Sequence, residues 1–386
     1  MNSAGPIRNI ALLGATGSVG RSAAAVIAAH PERFKLRAAT AHRQSEGLLR
    51  LCAESGCPVA ALTDELAARE AARDLPRGLR FLAGAEALVE IATLPEVDTV
   101  LCAVTGVAGT AAVFAALRAG KRVALASKEI IVAAGDLLNR MPTGELLPVD
   151  SEHSGVFQCL AGRPAAEISR VTLTASGGPF LNWSAERIAR ATVADAVRHP
   201  VWDMGIKTCV DSATLMNKAL ELIEARHLFK LRPEQLAAVI HPQAAVHALV
   251  ELCDGSVIAQ MSNPDMKLAI QYALSAPERL TARPAGTLDL TQLEKLEFLP
   301  PDEARFPALA LGREAMRRGG AAPAVLNAAN EAAVDCFVRG AIALPRIWEL
   351  AGKALEHCGD TDDGTLGSRI AAGDAARRYV TEQIGS

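Results

Sequence analysis

Short apolar runs alternate with stretches of helical spacing through the first part of the chain. Residues 7–13, 34–40, 59–62, 97–104, 122–126 and 146–149 read as strands, and those at 59–62, 122–126 and 146–149 are nearly continuous in apolar side chains. Strands covered on both faces read that way, whereas strands with one wet face alternate apolar and polar positions. Between the runs lie Ala-rich segments of helical period, one closing at Ala29 and one over residues 107–117. This alternation predicts an α/β, doubly wound parallel sheet over residues 1–149.

Beyond that point the pattern changes. Residues 171–174 read as a strand that stops at Ser176-Gly177-Gly178-Pro179. Residues 248–252 and 256–261 flank Asp254-Gly255, a hairpin signal. A helix is predicted over 213–228 with Ser212 as its N-cap, since a serine hydroxyl accepts from the free N–H groups of a first turn. Residues 275–301 hold Pro277, Pro284, Pro300 and Pro301 without sustained period and read as a linker. From Phe306 onward, residues 308–317, 322–339 and 344–357 have helical spacing, and the last residues add one more helix. The expected organisation is a central α+β catalytic domain at 150–275, a linker at 276–301 and a C-terminal helical domain at 302–386.

Composition bounds this picture. At 386 residues the chain exceeds what one core usually carries. Half the residues are hydrophobic but only 4% are aromatic, so alanine does much of the filling. A net charge of -3 argues against a nucleic-acid partner, which wants a clustered basic face. No apolar run is long enough to span a bilayer, and Arg118 interrupts one candidate. Met1-Asn2-Ser3-Ala4-Gly5-Pro6 lacks the charged and apolar regions of a signal peptide, and the eight cysteines include no CxxC pair. A cytoplasmic setting is expected.

The first strand runs into Gly14-Ala15-Thr16-Gly17-Ser18-Val19-Gly20 and a helix. Glycines there permit a tight turn and close approach, and the helix start offers free N–H groups to a pyrophosphate, which marks the sheet as Rossmann-like. The alternative is a small-residue turn that only packs. The second strand ends in Ala41-His42-Arg43, where an NAD-preferring site would place an acid. A basic pair suits the 2′-phosphate of NADPH instead, although either residue taken singly also fits an ordinary loop. Loops at 103–106 and 126–129 fall at strand carboxyl ends, facing the ligand crevice. Lys128, between Ser127 and Glu129, is either a surface lysine opening a helix or a substrate contact.

The densest chemistry lies in Leu147-Pro148-Val149-Asp150-Ser151-Glu152-His153-Ser154-Gly155. In extended backbone Asp150 and Glu152 share a face. Two anions that close need a cation, a shared proton or full solvation, and an all-oxygen pair suits Mg²⁺ or Mn²⁺ better than zinc. A wet loop is the alternative. Further on, Ser176-Gly177-Gly178 can form an anion nest. The segment from His199 to Ser212 sets Trp202 and Met204 in a loop that is either a mobile lid or permanently packed. Thr214, Asn217, Lys218 and Glu221 form one stripe of the predicted helix. Ser212, Asn217 and Lys218 suit a phosphate and Glu221 a third oxygen ligand, whereas a polar stripe otherwise faces solvent. Spacing alone makes His247 a hydrogen-bonded core histidine.

The motifs GATGSVG, ALASKE, LPVDSEHSG, ASGGPF, HPVWDMGIKTCVDSATLMNKALELIEA, IHPQAAVH and NAANEAAV together resemble the 1-deoxy-D-xylulose 5-phosphate reductoisomerase family, nearly end to end. The resemblance implies an NADPH-dependent oxidoreductase using Mg²⁺ or Mn²⁺, with Co²⁺ a further option. It would convert 1-deoxy-D-xylulose 5-phosphate into 2-C-methyl-D-erythritol 4-phosphate on the non-mevalonate isoprenoid pathway, as a homodimer. Carbon–carbon cleavage and re-addition would give a branched aldehyde, which hydride transfer reduces. Carried over by position, Asp150, Glu152 and Glu221 are metal ligands and, with Lys128, the catalytic set. Lys128, Ser151 and His247 contact the substrate; Ser176, Ser212, Asn217 and Lys218 hold its phosphate; His199 and Trp202 belong to a flap over it. Met204, Gly205 and Met266 line the nicotinamide. Thr16, Gly17, Ser18 and Val19, framed by Gly14 and Gly20, hold the cofactor phosphates, with Ala41, His42, Arg43, Ser127 and Glu129 nearby. Two positions depart from the family pattern: Ala244, commonly Ser, and Arg43, frequently Asn.

Two other classes share parts of this pattern. A semialdehyde dehydrogenase of the acyl-phosphate reductase kind has a similar glycine turn but needs a cysteine nucleophile, for which Cys209 is the candidate. A non-catalytic NADPH-binding regulator would have no use for three acids.

Overall fold

The computed structural model describes residues 6–141, 143–202, 204–359 and 362–385, except the side chain of Ala165. Two compact units divide the chain. One runs through Ile130 and adds Arg140–Ser154 and Asp265–Gly286; the other comprises Ile131–Asn139, Gly155–Pro264 and the chain from Thr287.

The first unit is built on a seven-stranded sheet in the order β4-β3-β2-β1-β5-β6-β7. Its strands are β1 (Arg8–Leu13), β2 (Phe34–Ala41), β3 (Val59–Leu62), β4 (Arg80–Ala83), β5 (Thr99–Cys102), β6 (Arg122–Leu125) and β7 (Glu145–Pro148). Every neighbouring pair is parallel. The near-continuous apolar runs are explained: β3 and β5 are buried along their whole length. The hydrophobic pattern does not announce β4, an edge strand whose two end residues are exposed and whose short sequence RFLA carries a charge. The order reverses between β1 and β5, which places a ligand crevice at the carboxyl ends of those two strands. Helix Met266–Ser275 clusters here and packs on helix Ser18–Ala29, where Gln271 Oε1 lies 2.9 Å from His30 Nε2.

The second unit holds a four-stranded sheet in the order β11-β10-β8-β9. β8 (Ile168–Ala175) pairs in parallel with β9 (Leu236–Ile240) and antiparallel with β10 (Val246–Leu252), which pairs with β11 (Val257–Met261). The Asp254-Gly255 turn joins the last two, with Gly255 at φ 85° as a hairpin of this kind requires. Residues 276–301 contribute a single isolated bridge, Ile240 to Leu299. Helices Ala308–Arg318, Ala322–Val338, Arg346–Cys358 and Leu366–Gly385 follow and share one buried core with helix Met216–Phe229.

Candidate active site

The turn after β1 is shaped by contacts that only glycine allows. Gly14 has φ 84°, and a Cβ there would sit 2.5 Å from the carbonyl oxygen of Ala103, after β5. A Cβ at Gly20 would meet the Gly14 carbonyl at 2.1 Å, so the helix start lies flat against the turn. Gly17 precedes helix Ser18–Ala29 with no side-chain cap, and it and Ser18 are exposed. The first N–H groups of that helix thus have no side-chain cap, and an exposed helix start of this kind is a cradle that fits a pyrophosphate. Thr16 is half-buried, its carbonyl accepting from Arg21 Nη1 at 2.6 Å, and Val19 is half-buried beside it.

At the end of β2, Ala41 is buried, while His42 and Arg43 are exposed. His42 Nδ1 lies 2.9 Å from Thr63 Oγ1, and Arg43 Nε donates to Asp64 Oδ2 at 2.7 Å. The N–H of Ala67 and then the Arg43 guanidinium hold the Asp64 carboxyl below its usual range. The arginine is thus aimed by an acid on the neighbouring strand end. Ser127 is buried, its hydroxyl donating to the Val104 carbonyl, and Lys128 and Glu129 open helix Lys128–Leu138.

The acid pair is not extended. β7 ends at Pro148, and the Asp150 carbonyl accepts from Ser154 N at 2.8 Å, opening helix Ser151–Cys159. Glu152 sits in the first helical turn, where the helix dipole favours an anion. Lys128 Nζ lies 2.5 Å from Asp150 Oδ2, both largely buried, so one anion already has its cation. Ser151 Oγ donates to Glu152 Oε2 at 2.5 Å. His153, fully buried, brings Nδ1 to 3.9 Å from Asp150 Oδ2. Sequence reasoning passed over this histidine, although its place three residues after Asp150 puts the two on one helical face.

In the second unit β8 delivers Ser176 to a cluster of donors. His199 Nδ1 accepts from Val201 N at 3.2 Å and from Trp202 N at 2.8 Å, which leaves the neutral ring's proton on Nε2. Nε2 lies 2.9 Å from Ser176 Oγ, and Gly178 N donates to the same oxygen at 3.2 Å. The Ser176 oxygen is fed by two donors, so its own proton is available to a third group such as a phosphate oxygen. Gly178 packs directly on the next element, since a Cβ there would lie 2.7 Å from the Ser212 carbonyl.

Ser212 is not an N-cap. It lies inside helix Ile206–Ala213, and helix Met216–Phe229 starts afresh after Leu215, which adopts φ 59°. Thr214 causes the break by donating its hydroxyl back to the Val210 and Asp211 carbonyls. The stripe is not a solvated face either. Lys218 is 3% exposed and Glu221 0%, and Lys218 Nζ and Asn217 Nδ2 both donate to the Glu221 carboxylate. A buried ion pair of this kind contributes little net stability, which directs attention to function. His247 is buried, 3.0 Å from Ser262 Oγ, with its ring edge-on to Trp202 at 6.2 Å. Met204 is half-buried and Gly205 exposed, and Met266 opens its helix behind the Asp265 cap. Ala244, at φ 48°, occupies left-handed backbone that costs an alanine about 1 kcal/mol. Cys209 lies buried in mid-helix with Sγ donating to the Met204 carbonyl, no position for a nucleophile.

Family models match most of the chain. The model for 1-deoxy-D-xylulose 5-phosphate reductoisomerase covers residues 10–135, that for its C-terminal domain residues 146–229, and a DXP reductoisomerase C-terminal domain model residues 261–379. A 1-deoxy-D-xylulose 5-phosphate reductoisomerase of Xanthomonas oryzae pv. oryzae is 47% identical over 384 residues, 98% of this chain and 96% of that one. The chain belongs to the 1-deoxy-D-xylulose 5-phosphate reductoisomerase family.

Within this reductoisomerase family, the enzyme of the same name from Burkholderia pseudomallei is 46% identical over 98% of this chain and 97% of its own length. The solved reductoisomerase of Zymomonas mobilis, in complex with NADPH, superposes with a TM-score of 0.93 at 39% identity, over 99% of this chain and 100% of that one. A reductoisomerase crystallised with NADPH, fosmidomycin and magnesium gives 0.92 at 39% identity, over 98% of each chain. The residues of this family member fit such groups on their own chemistry. The glycine cradle suits a dinucleotide, and the carboxylates of Asp150, Glu152 and Glu221 are the hard oxygen donors that Mg²⁺ and Mn²⁺ take. Among the described residues, no helix is long and apolar enough to cross a membrane.

Proposed function

We propose that this chain converts 1-deoxy-D-xylulose 5-phosphate into 2-C-methyl-D-erythritol 4-phosphate, using NADPH and a divalent cation, in isoprenoid precursor synthesis. The observation that carries the reading furthest is the buried Lys218–Glu221 pair with Asn217 on the same carboxylate, in the helix that follows Ser212. A fold gains little from burying these charges, whereas a phosphate and a divalent ion use all of them.

Asp150 and Glu152, with Glu221, are the oxygen ligands of the ion. When bound, the ion supplies Lewis acidity at the substrate ketone and NADPH supplies the hydride. Lys128 balances the charge of Asp150 and contacts the substrate, as does Ser151. Ser176, Ser212, Asn217 and Lys218 hold the phosphate, and once Lys218 and Asn217 turn to it they release Glu221 as a ligand. The phosphate anchor lies away from the reacting carbons, so its binding energy is available to draw His199 and Trp202 over the substrate and exclude water. His247 supports Trp202 and faces the substrate. Met204, Gly205 and Met266 line the nicotinamide; Gly14, Thr16, Gly17, Ser18, Val19 and Gly20 hold the pyrophosphate. His42 and Arg43, beyond Ala41, take the 2′-phosphate, with Ser127 and Glu129 lining the crevice. The division of labour follows residues 1–149 for the body of the cofactor, 150–275 for metal, phosphate and the nicotinamide end, 276–301 as linker and 302–386 as support. A homodimer acting in the cytoplasm, with Mg²⁺, Mn²⁺ or Co²⁺ as the ion, completes the proposal.

The test is NADPH oxidation followed by absorbance with the sugar phosphate, before and after EDTA. Turnover that EDTA abolishes and added Mg²⁺ or Mn²⁺ restores is expected. Full activity in metal-free buffer would overturn the reading.

A further inference from the structure

We propose that Asn330 and Asp211 are positioning residues that set the phosphate-holding end of helix Ile206–Ala213, an inference that rests on Ser212 being a phosphate ligand. The helix has eight residues, about two turns, and no side-chain N-cap at Gly205. A helix that short does not hold itself in water, so its place is dictated by what it packs against. Its buried residues are Cys209, Val210, Asp211 and Ala213. Of these side chains, the Asp211 carboxylate bonds across to a distant helix. It is 1% exposed, and each oxygen has a partner.

Asn330 Nδ2, from the middle of helix Ala322–Val338, donates to Asp211 Oδ1 at 2.8 Å across 119 positions of sequence. Lys207 Nζ, one turn earlier on Asp211's own helix, lies 2.8 Å from Oδ2. Asn330 is 0% exposed in an alanine-rich helix, and its Oδ1 has no hydrogen-bond partner. An asparagine so placed loses solvation that only the bond to Asp211 returns. What the bond fixes is the rotation of the short helix. Ser212 is the next residue, with the Ser176 loop pressed on its carbonyl through Gly178. Thr214 and Leu215 pass the same setting to Asn217 and Lys218. At the other end Lys207 ties the first turn to the same carboxylate, just after the Trp202 loop. The NAANEAAV segment, otherwise without chemistry, thereby acts on substrate binding through Asp211.

The experiment compares KM and kcat for the sugar phosphate, and KM for NADPH, in the full chain carrying Asn330→Ala, Asp211→Asn, Asn330→Asp, the double exchange Asp211→Asn with Asn330→Asp, and Ser212→Ala. Asn330→Ala should raise the sugar-phosphate KM about tenfold, the worth of one charge-assisted hydrogen bond, with the NADPH KM unchanged. The double exchange reverses donor and acceptor and should recover most of that loss, while neither of its single components does. If Asn330→Ala does not fold, Asn330→Ser, a shorter donor, serves for the same comparison. A lowered melting temperature with an unchanged KM, or a double exchange no better than its components, would overturn the proposal and leave Asn330 as packing. Ser212→Ala separates the two readings. If it leaves the sugar-phosphate KM and inhibition by inorganic phosphate unchanged, the phosphate assignment itself fails. If it raises the KM and weakens that inhibition while Asn330→Ala is silent, only the present proposal falls.

Discussion

Residue identity spoke most clearly where a side chain, or its absence, has one physical use. Gly14 and Gly20 were legible because a Cβ at either would lie only 2.5 or 2.1 Å from a backbone oxygen, which excludes every other residue. Lys218 and Glu221 were legible as donor and acid but not as a buried pair, because a helical stripe of polar residues reads the same whether it faces water or a closed site. His153 was passed over because its meaning comes from the turn that starts a helix at Ser151. Arg43 illustrates a third case. Its charge was visible, but the acid that aims it, Asp64, is 21 positions away. Replacing Arg43 with Ala should raise the KM for NADPH by roughly tenfold, near the worth of a charge-assisted bond to phosphate, and leave that for NADH unchanged. Equal effects on the two cofactors in steady-state kinetics would remove Arg43 from the 2′-phosphate site.

Elements followed the hydrophobic period closely where packing and local preference agree. The buried strands β3 and β5 and the late helices fall within a few residues of the runs that announce them. The misreadings are cases where side-chain chemistry overrides the period. Thr214 and the left-handed Leu215 delay the predicted helix to Met216 and set it off from a separate helix, Ile206–Ala213, in the stretch read as a loop, and the acid pair turns into a helix instead of continuing β7. Helix Met216–Phe229 also makes stability depend on pH. Burial first, and then the neighbouring Arg226 cation, push His227 down from 6.5 to about 4, with Asp136 pulling weakly the other way. The neutral ring is favoured in the folded state, so its contribution is complete above pH 6.5 and is lost as pH falls towards 4. The full loss amounts to roughly 3 kcal/mol. Melting temperatures taken from pH 7 down to 4.5 should therefore fall less steeply in His227→Gln than in the parent. Parallel curves would show that His227 titrates no differently on folding.

For the whole molecule, alternation of strand and helix was enough to expect a doubly wound sheet, and that sheet is present with its order reversing between β1 and β5. The periodicity could not show that helix Met266–Ser275 packs with the first unit, a long-range choice made by contacts such as His30 to Gln271. Nor does spacing join acids 69 positions apart, Glu152 and Glu221, as the proposed ligands of one ion; that proposal rests on donor chemistry and family membership. Mn²⁺ binding followed by electron paramagnetic resonance measures the proposed three-carboxylate site directly. One tight Mn²⁺ per chain is expected in the parent, and Glu221→Gln should weaken it at least tenfold while NADPH binding stays unchanged. A Glu221→Gln protein that holds Mn²⁺ as tightly as the parent would contradict the account.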